Sequence, residues 1–348
     1  MNIRKLQNVD LTDKRVLMSV GFNVALDKKG DVREKYKITA AKESVEYVFT
    51  QKNAKCAFLT HLGRPNGKYD EKFSVRKIVD DIERILNVRV KFSETCVGTN
   101  VKKLFENLGK REVLLLENVR FHEEEMKNDP IFAKKLAEPF DVFVNEAFSV
   151  SHRAHASVLG IAKVLPSYAG IWLQKETENL SRVKESPEHP AVAIIGGAKI
   201  ETKLPLITMF EEKYDHVLVG GRVAVEAQEK KMRFSSKVVL PEDYAKDHAD
   251  IGERTIEQFQ KIIAGAKTIV WNGPMGKFEN PPFDRGTRAL LEAIIASGAY
   301  SLIGGGESVQ VVEEAGVMDK ISFVSTGGGA MLSFLSGKEL PALEALKE

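Results

Sequence analysis

Cysteine is scarce: only Cys56 and Cys96 occur in 348 residues. Cys56 lies in the apolar run Cys56-Ala57-Phe58-Leu59-Thr60, where it reads as a small buried hydrophobe rather than a redox centre. Such thiols fit a reducing compartment, taken here as the cytoplasm. Long hydrophobic runs are lacking too; none approaches the roughly 20 residues of a membrane helix, so no membrane partner is expected. The opening MNIRKLQNVD has no apolar stretch of the kind a secretory leader carries. Charge of one sign is missing as well, since 51 basic and 49 acidic side chains leave a formal net charge of +2. That balance does not point to nucleic acid, and any basic site must come from local clustering. Short repeats and low-complexity tracts are absent.

What is present is the balance of a soluble globular chain, 43% apolar and 29% charged. Its length exceeds what one core usually serves, so two domains are expected. Apolar runs of strand length alternate with segments of helical period. Strands are expected at 15–20, 54–60, 113–116 and 141–144, then at 191–195, 216–219, 267–271, 300–303 and 321–324. Helical spacing marks 75–86 and 132–138. Runs this apolar belong to strands buried on both faces, hence to parallel sheets covered by helices. The pattern predicts an α/β fold drawn twice, two three-layer parallel-sheet domains. The stretch 163–190 carries Pro166, a charged helical segment and the turn-rich Ser186-Pro187-Glu188-His189-Pro190, and reads as a connector helix between the domains.

In open parallel sheets ligands bind at the carboxyl ends of the strands. After the second-half strands come Gly196-Gly197-Ala198-Lys199, Gly220-Gly221, Asn272-Gly273-Pro274-Met275-Gly276, Gly304-Gly305-Gly306-Glu307-Ser308 and Thr326-Gly327-Gly328-Gly329-Ala330. Glycine lets backbone approach a ligand, and helix N-termini offer N–H groups to anions, so these loops predict a phosphate-bearing nucleotide site. Lys199 and Lys203, four apart, share a helix face and could both reach phosphate. Neither a P-loop nor a Rossmann glycine fingerprint is present. The first-half strand ends are cationic instead: Gly21-Phe22-Asn23, His61-Leu62-Gly63-Arg64-Pro65, Glu117-Asn118-Val119-Arg120-Phe121-His122 and His152-Arg153-Ala154-His155. Arg64, Arg120 and Arg153 gathered with three histidines predict a small polyanion as ligand, unless Glu117 and Glu146 pair with them. His152 and His155 have no third partner at metal-ligand spacing.

At these residues the sequence resembles the phosphoglycerate kinase family along nearly its whole length, through 61–65, 74–91, 114–122, 145–157, 194–203, 269–279, 303–308 and 325–330. The resemblance implies reversible phosphoryl transfer between ATP and 3-phosphoglycerate, giving 1,3-bisphosphoglycerate and ADP, with Mg2+ and a monomeric, hinge-bending enzyme of glycolysis. It implies a substrate domain at 1–165, a hinge helix at 166–184, a nucleotide domain at 185–330 and a segment, 331–348, returning to the first domain. The acid would meet Asn23, His61, Arg64, Arg120, His152 and Arg153. Nucleotide would meet Gly197, Lys199, Lys203, Gly221, Asn272, Gly305, Gly306, Glu307 and Ser308, with Glu279 on the ribose. Lys37, Lys203 and Arg153 would carry the catalysis, and Glu307 would stand near the metal. The substrate carboxylate is itself the nucleophile, so no general base is required.

The chain departs from the family at several of these positions. Arg-Val-Asp-Phe-Asn-Val-Pro is here Ser19-Val20-Gly21-Phe22-Asn23-Val24-Ala25, so the substrate-binding aspartate is a glycine. The arginine before Ile38 is Lys37, which keeps charge without the fork. Glu146 and Glu307 replace aspartates, and Ser149 and Val150 replace the Gly-Thr that follows Asn-Asp-Ala-Phe. The stretch between Ala224 and Asp250 is shorter than the family's. These changes leave two alternatives to set against the kinase reading: a kinase for another phosphorylated acid, or a nucleotide-binding protein without turnover.

Overall fold

The computed structural model describes residues 2–348, which form two α/β units. One comprises residues 2–177 with 339–348, the other Glu178–Lys338. The first is built on β1 (Arg15–Ser19), β2 (Lys55–Leu59), β3 (Arg89–Ser93), β4 (Glu112–Leu116), β5 (Val142–Asn145) and β6 (Ser167–Ala169), all parallel in the order 3-4-2-1-5-6. Successive side chains on a strand point to opposite faces. Val16, Met18, Phe58, Leu115 and Val144 therefore pack with Val45, Val48, Ile82 and Leu86 on one side. Leu17, Leu59, Leu114 and Phe143 pack with Phe105, Phe132 and Leu136 on the other. Burial on both faces is why these strands read as unbroken apolar runs.

The helices start where their sequences allow. Helix Pro130–Ala137 has proline in its first turn and Asp129 as cap, its carboxylate accepting from Phe132 N at 2.7 Å. Helix Val79–Leu86 ends on Asn87 in the left-handed region, φ 55°. The expected helix at 75–86 is a 3-10 turn, Val75–Ile78, running into this one.

The second unit holds β7 (Ala191–Ile195), β8 (His216–Val219), β9 (Val238–Val239), β10 (Thr268–Asn272), β11 (Tyr300–Gly304) and β12 (Phe323–Ser325), in the order 12-11-10-7-8-9. In each sheet the first strand lies inside, with later strands added on both sides. The crevices at this reversal open beside β1 and β5, and beside β7 and β10. Helix Ile171–Glu185 carries the chain across the boundary, which falls after Thr177. The returning segment begins at Glu339; residues 331–338 stay with the second unit, as most of helix Gly328–Leu335. Its short helix Pro341–Glu344 lies against the β5 loop, with Ala342 N donating to Ser151 O at 3.2 Å.

Candidate active site

The four carboxyl-end loops of the first unit meet around a cavity of about 100 Å3 lined by Asn23, Lys37, His61, Arg64, Arg120, Ser149, Val150 and Arg153. Asn118 ties two of these loops: its Nδ2 donates to Leu62 O and Phe73 O, each at 2.8 Å, and its Oδ1 accepts from Arg120 N at 3.0 Å. Asn23 Oδ1 accepts from Gly63 N at 2.9 Å, joining the β1 and β2 loops. After β5 the turn Phe148–Val150 is closed by Ser151 N on Phe148 O at 2.9 Å, and Arg153 N donates to Val150 O at 2.9 Å. That turn delivers Ser149, His152 and Arg153 to the rim.

Arg120 is 5% exposed, yet among the described residues its only side-chain hydrogen bond runs from Nη1 to Gly63 O at 3.1 Å, and its Nε has no partner. Burial, then the charge of Arg153, lowers its pKa to about 10, so it stays cationic at neutral pH. Burial and the cations Arg120 and Arg153 hold His61 well below its ordinary range, and burial with Arg153 lowers His152. Both are neutral at pH 7. His152 Nε2 accepts from Arg153 Nε at 3.3 Å, leaving Nδ1 buried and unpartnered.

The acids that could neutralise the arginines are engaged elsewhere. Glu117 accepts from Ser74 Oγ (2.7 Å), Val75 N (2.9 Å) and Asn118 N (2.7 Å). Glu146 accepts from Ser44 Oγ and from Trp172 N and Leu173 N at the start of helix Ile171–Glu185. Among the described residues Arg64, Arg120 and Arg153 form no ion pair with a carboxylate. Lys37 is different: Glu34 pairs with it at 2.6 Å and Asn23 O accepts from its Nζ at 3.2 Å. A larger cleft of about 430 Å3, where Arg76 and Lys77 face Glu71, Glu94 and Glu117, lacks this excess of cations. Arg76 there is already paired with Glu94 at 3.2 Å. The anion site is therefore the smaller cavity.

In the second unit the glycine loops divide into two kinds. Gly196 and Gly197 donate to Asn272 O (2.9 Å) and Pro274 O (3.0 Å), and Gly221 to Met275 O (2.9 Å). A Cβ on Gly196 would stand 2.1 Å from Pro274 O. These glycines close the β7, β8 and β10 loops against one another, and their amides are spent in doing so. Gly305, at φ 103°, and Gly306 instead open helix Gly306–Glu314, which has no side-chain cap. Nothing lies within 4 Å of where a Cβ on Gly306 would stand. Helix Gly328–Leu335 is likewise uncapped. Uncapped first turns present unsatisfied N–H groups and the positive end of the helix dipole. Ser308 Oγ accepts from Gly273 N at 2.7 Å, so its hydroxyl holds the β10 loop.

Asn272 bridges these parts. Its Nδ2 donates to Gly304 O at 2.6 Å and its Oδ1 accepts from Lys203 Nζ. Burial lowers Lys203 to about 8, with Glu307 pulling the other way. Lys203 thus remains mostly protonated at pH 7 with only a neutral amide in contact. Lys199, Glu279 and Glu307 are exposed. Sequence reading named neither Ser149 nor Asn118 as site residues; Ser149 stood out only as a departure from the family pattern.

A basic cavity in one parallel-sheet unit, and uncapped helix starts with a half-buried lysine in the other, define the class of the α/β phosphotransferases. The phosphoglycerate kinase family model matches residues 6–235 and 225–338. The phosphoglycerate kinase of Acidobacterium capsulatum is 42% identical over 404 aligned positions, covering 100% of both chains. That of Anaeromyxobacter dehalogenans is 40% identical over 397, again 100% of both. The crystal structure of phosphoglycerate kinase from Pyrococcus horikoshii OT3 superposes with a TM-score of 0.87 at 31% identity, covering 99% of this chain and 98% of that one. The structure from Coxiella burnetii gives 0.80 at 32%, with the same coverage. The chain belongs to the phosphoglycerate kinase family, and it is a phosphotransferase working between ATP and 3-phosphoglycerate. The alignment runs over 404 positions against 348 residues, and the two segments of the family match overlap at 225–235, within the stretch Ala224–Asp250 expected to be shorter than the family's.

Proposed function

We propose that the arginine cavity of the first unit holds 3-phosphoglycerate, that the uncapped helix starts of the second hold the phosphates of ATP, and that Lys203 meets the transferring group. The observation that carries this reading is Arg120, a cation 5% exposed with an unpartnered Nε beside Arg153 and no carboxylate in ion-pair contact among the described residues, its nearby acid Glu125 being bonded to Ser157 N at 2.8 Å and Ser157 Oγ at 2.6 Å. An anion with several oxygens supplies the acceptors that the protein withholds. Arg64, Arg120 and Arg153 would bind the substrate phosphate and carboxylate, with neutral His61 and the free Nδ1 of His152 as donors. Lys37 and Lys203 would stand against the charge that spreads over the phosphoryl oxygens in the transition state. The attacking carboxylate needs no proton removed, so rate comes from alignment and from placed charge.

Glu279 is proposed for the ribose, and Lys199 for an outer phosphate. Magnesium fits the donor set in one form: Glu307 offers a single carboxylate at the start of helix Gly306–Glu314, and Mg2+ is commonly held by one or two carboxylates plus substrate phosphates and water. Bound there, the ion would offset phosphate charge. In-line transfer requires the two substrates to touch, and helix Ile171–Glu185 is the proposed hinge. Two buried, unpaired thiols, Cys56 and Cys96, support a reducing location, read as cytoplasmic, and a monomer is proposed. Replacing Arg153 or Lys203 by alanine is expected to lower kcat by about 10²–10³ in an ATP- and 3-phosphoglycerate-dependent assay. Retention of the full rate by either variant would remove that residue from the site.

A further inference from the structure

We propose that Ser149 is the group that recognises the C2 hydroxyl of the acid substrate, an inference that rests on the assignment of the arginine cavity to 3-phosphoglycerate. That acid carries a phosphate, a carboxylate and one hydroxyl between them. Arginines suit the two anionic ends but can only donate. A hydroxyl is best met by a group that also accepts. Asn23 Oδ1 already accepts from Gly63 N at 2.9 Å, neutral His61 is assigned above as a donor to the anion, and Val150 is apolar. Ser149 lines the cavity, and its Oγ is buried with no hydrogen-bond partner. A buried hydroxyl left unpaired is costly, and a substrate hydroxyl would satisfy it.

Its position says why it stands there. Position 21 follows β1, and position 149 follows β5, the strand paired beside β1. A Cβ built on Gly21 would lie 3.2 Å from Ser149 Oγ, with only Ala147 Cα, at 4.0 Å, also within reach. The family pattern has aspartate at the first position and glycine at the second; here the glycine and the side chain have exchanged sides. The hydrogen-bonding group reaches the same spot from the β5 loop, where the closed turn Phe148–Val150 fixes its backbone. Gly21 is then the partner of Ser149: it leaves the space the hydroxyl fills.

The test compares kcat/KM for 3-phosphoglycerate with that for 3-phosphooxypropanoate, the same acid without the C2 hydroxyl. The unaltered enzyme should prefer the hydroxy acid by about tenfold or more, the discrimination expected from one hydrogen bond to a buried group. Ser149→Ala should bring that ratio close to one, through the KM for the acid rather than the KM for ATP. Gly21→Asp alone should perform worse than the double change Gly21→Asp with Ser149→Gly, which should restore the preference. A Ser149→Ala enzyme that keeps the original ratio would overturn the inference while leaving the cavity assignment intact. Failure of the unaltered enzyme to turn over either acid would overturn the assignment and the inference together.

Discussion

Arg120 sets the character of the acid site at the scale of a single residue. Holding a guanidinium out of water with one carbonyl as its side-chain acceptor is unfavourable for the ligand-free fold, by up to several kcal/mol. Arg120→Met should therefore raise the Tm of the ligand-free protein, by about 1–2 kcal/mol of stability. Inorganic phosphate should raise the Tm of the unaltered chain and leave that of the variant unchanged. Thermal melts with and without phosphate check both; a lower ligand-free Tm in the variant would assign Arg120 a structural role. Lys203 makes a second prediction. Its charge is needed, and burial brings its pKa to about 8, so kcat/KM for ATP should fall as pH rises through that value. Lys203→Arg should move this alkaline limb up by more than a unit. Arg64, Arg120 and Arg153 were legible in the sequence because each follows an apolar strand. The role of Ser149 was not, because it depends on Gly21, which is distant in the chain and adjacent only once β1 and β5 pair.

Among elements, the start of helix Ile171–Glu185 is a point where stability depends on pH. Burial pushes Glu146 up to about 7, against the donors Ser44, Trp172 and Leu173 that favour its charged form. A carboxyl raised in the fold binds its proton more tightly folded than unfolded. Its contribution is thus complete below its unfolded pKa near 4.5 and is lost as pH rises through about 7. The first unit should be less stable at pH 8.5 than at pH 5 by about 2 kcal/mol from this group. Glu146→Gln should flatten that slope in denaturant titrations at the two pH values; an unchanged slope would place its origin elsewhere. Gly170→Ala should destabilise the same junction by about 1–3 kcal/mol, since its Cβ would stand 2.0 Å from Glu146 Oε2. Strands buried on both faces were read nearly to the residue. The missed ones lie at or near sheet edges: β3 alternates Arg89 and Lys91 with Val90 and Phe92, and β6 and β9 have three and two residues. The glycine loops were legible as strand ends. That Gly196, Gly197 and Gly221 spend their amides on neighbouring loops could be seen only with β7, β8 and β10 side by side.

Across the whole molecule, two parallel six-stranded sheets of different strand order place a cationic crevice in one unit and a lysine with uncapped helix starts in the other. The family match spans nearly the full chain in two segments that overlap at 225–235, just before the two-residue β9. Lys199, Lys203, Asn272, Gly305 and Gly306 all remain in the chain. The departures at Gly21 and Lys37 fall in the acid site, with Ser149 beside the first and Glu34 beside the second. The most direct measurement is ATP-dependent consumption of 3-phosphoglycerate by the purified protein, with Arg153→Ala and Lys203→Ala alongside. The expected result is turnover that falls by about 10²–10³ in each variant. Absence of turnover in the unaltered protein, or turnover indifferent to both substitutions, would contradict the assignment of the two sites.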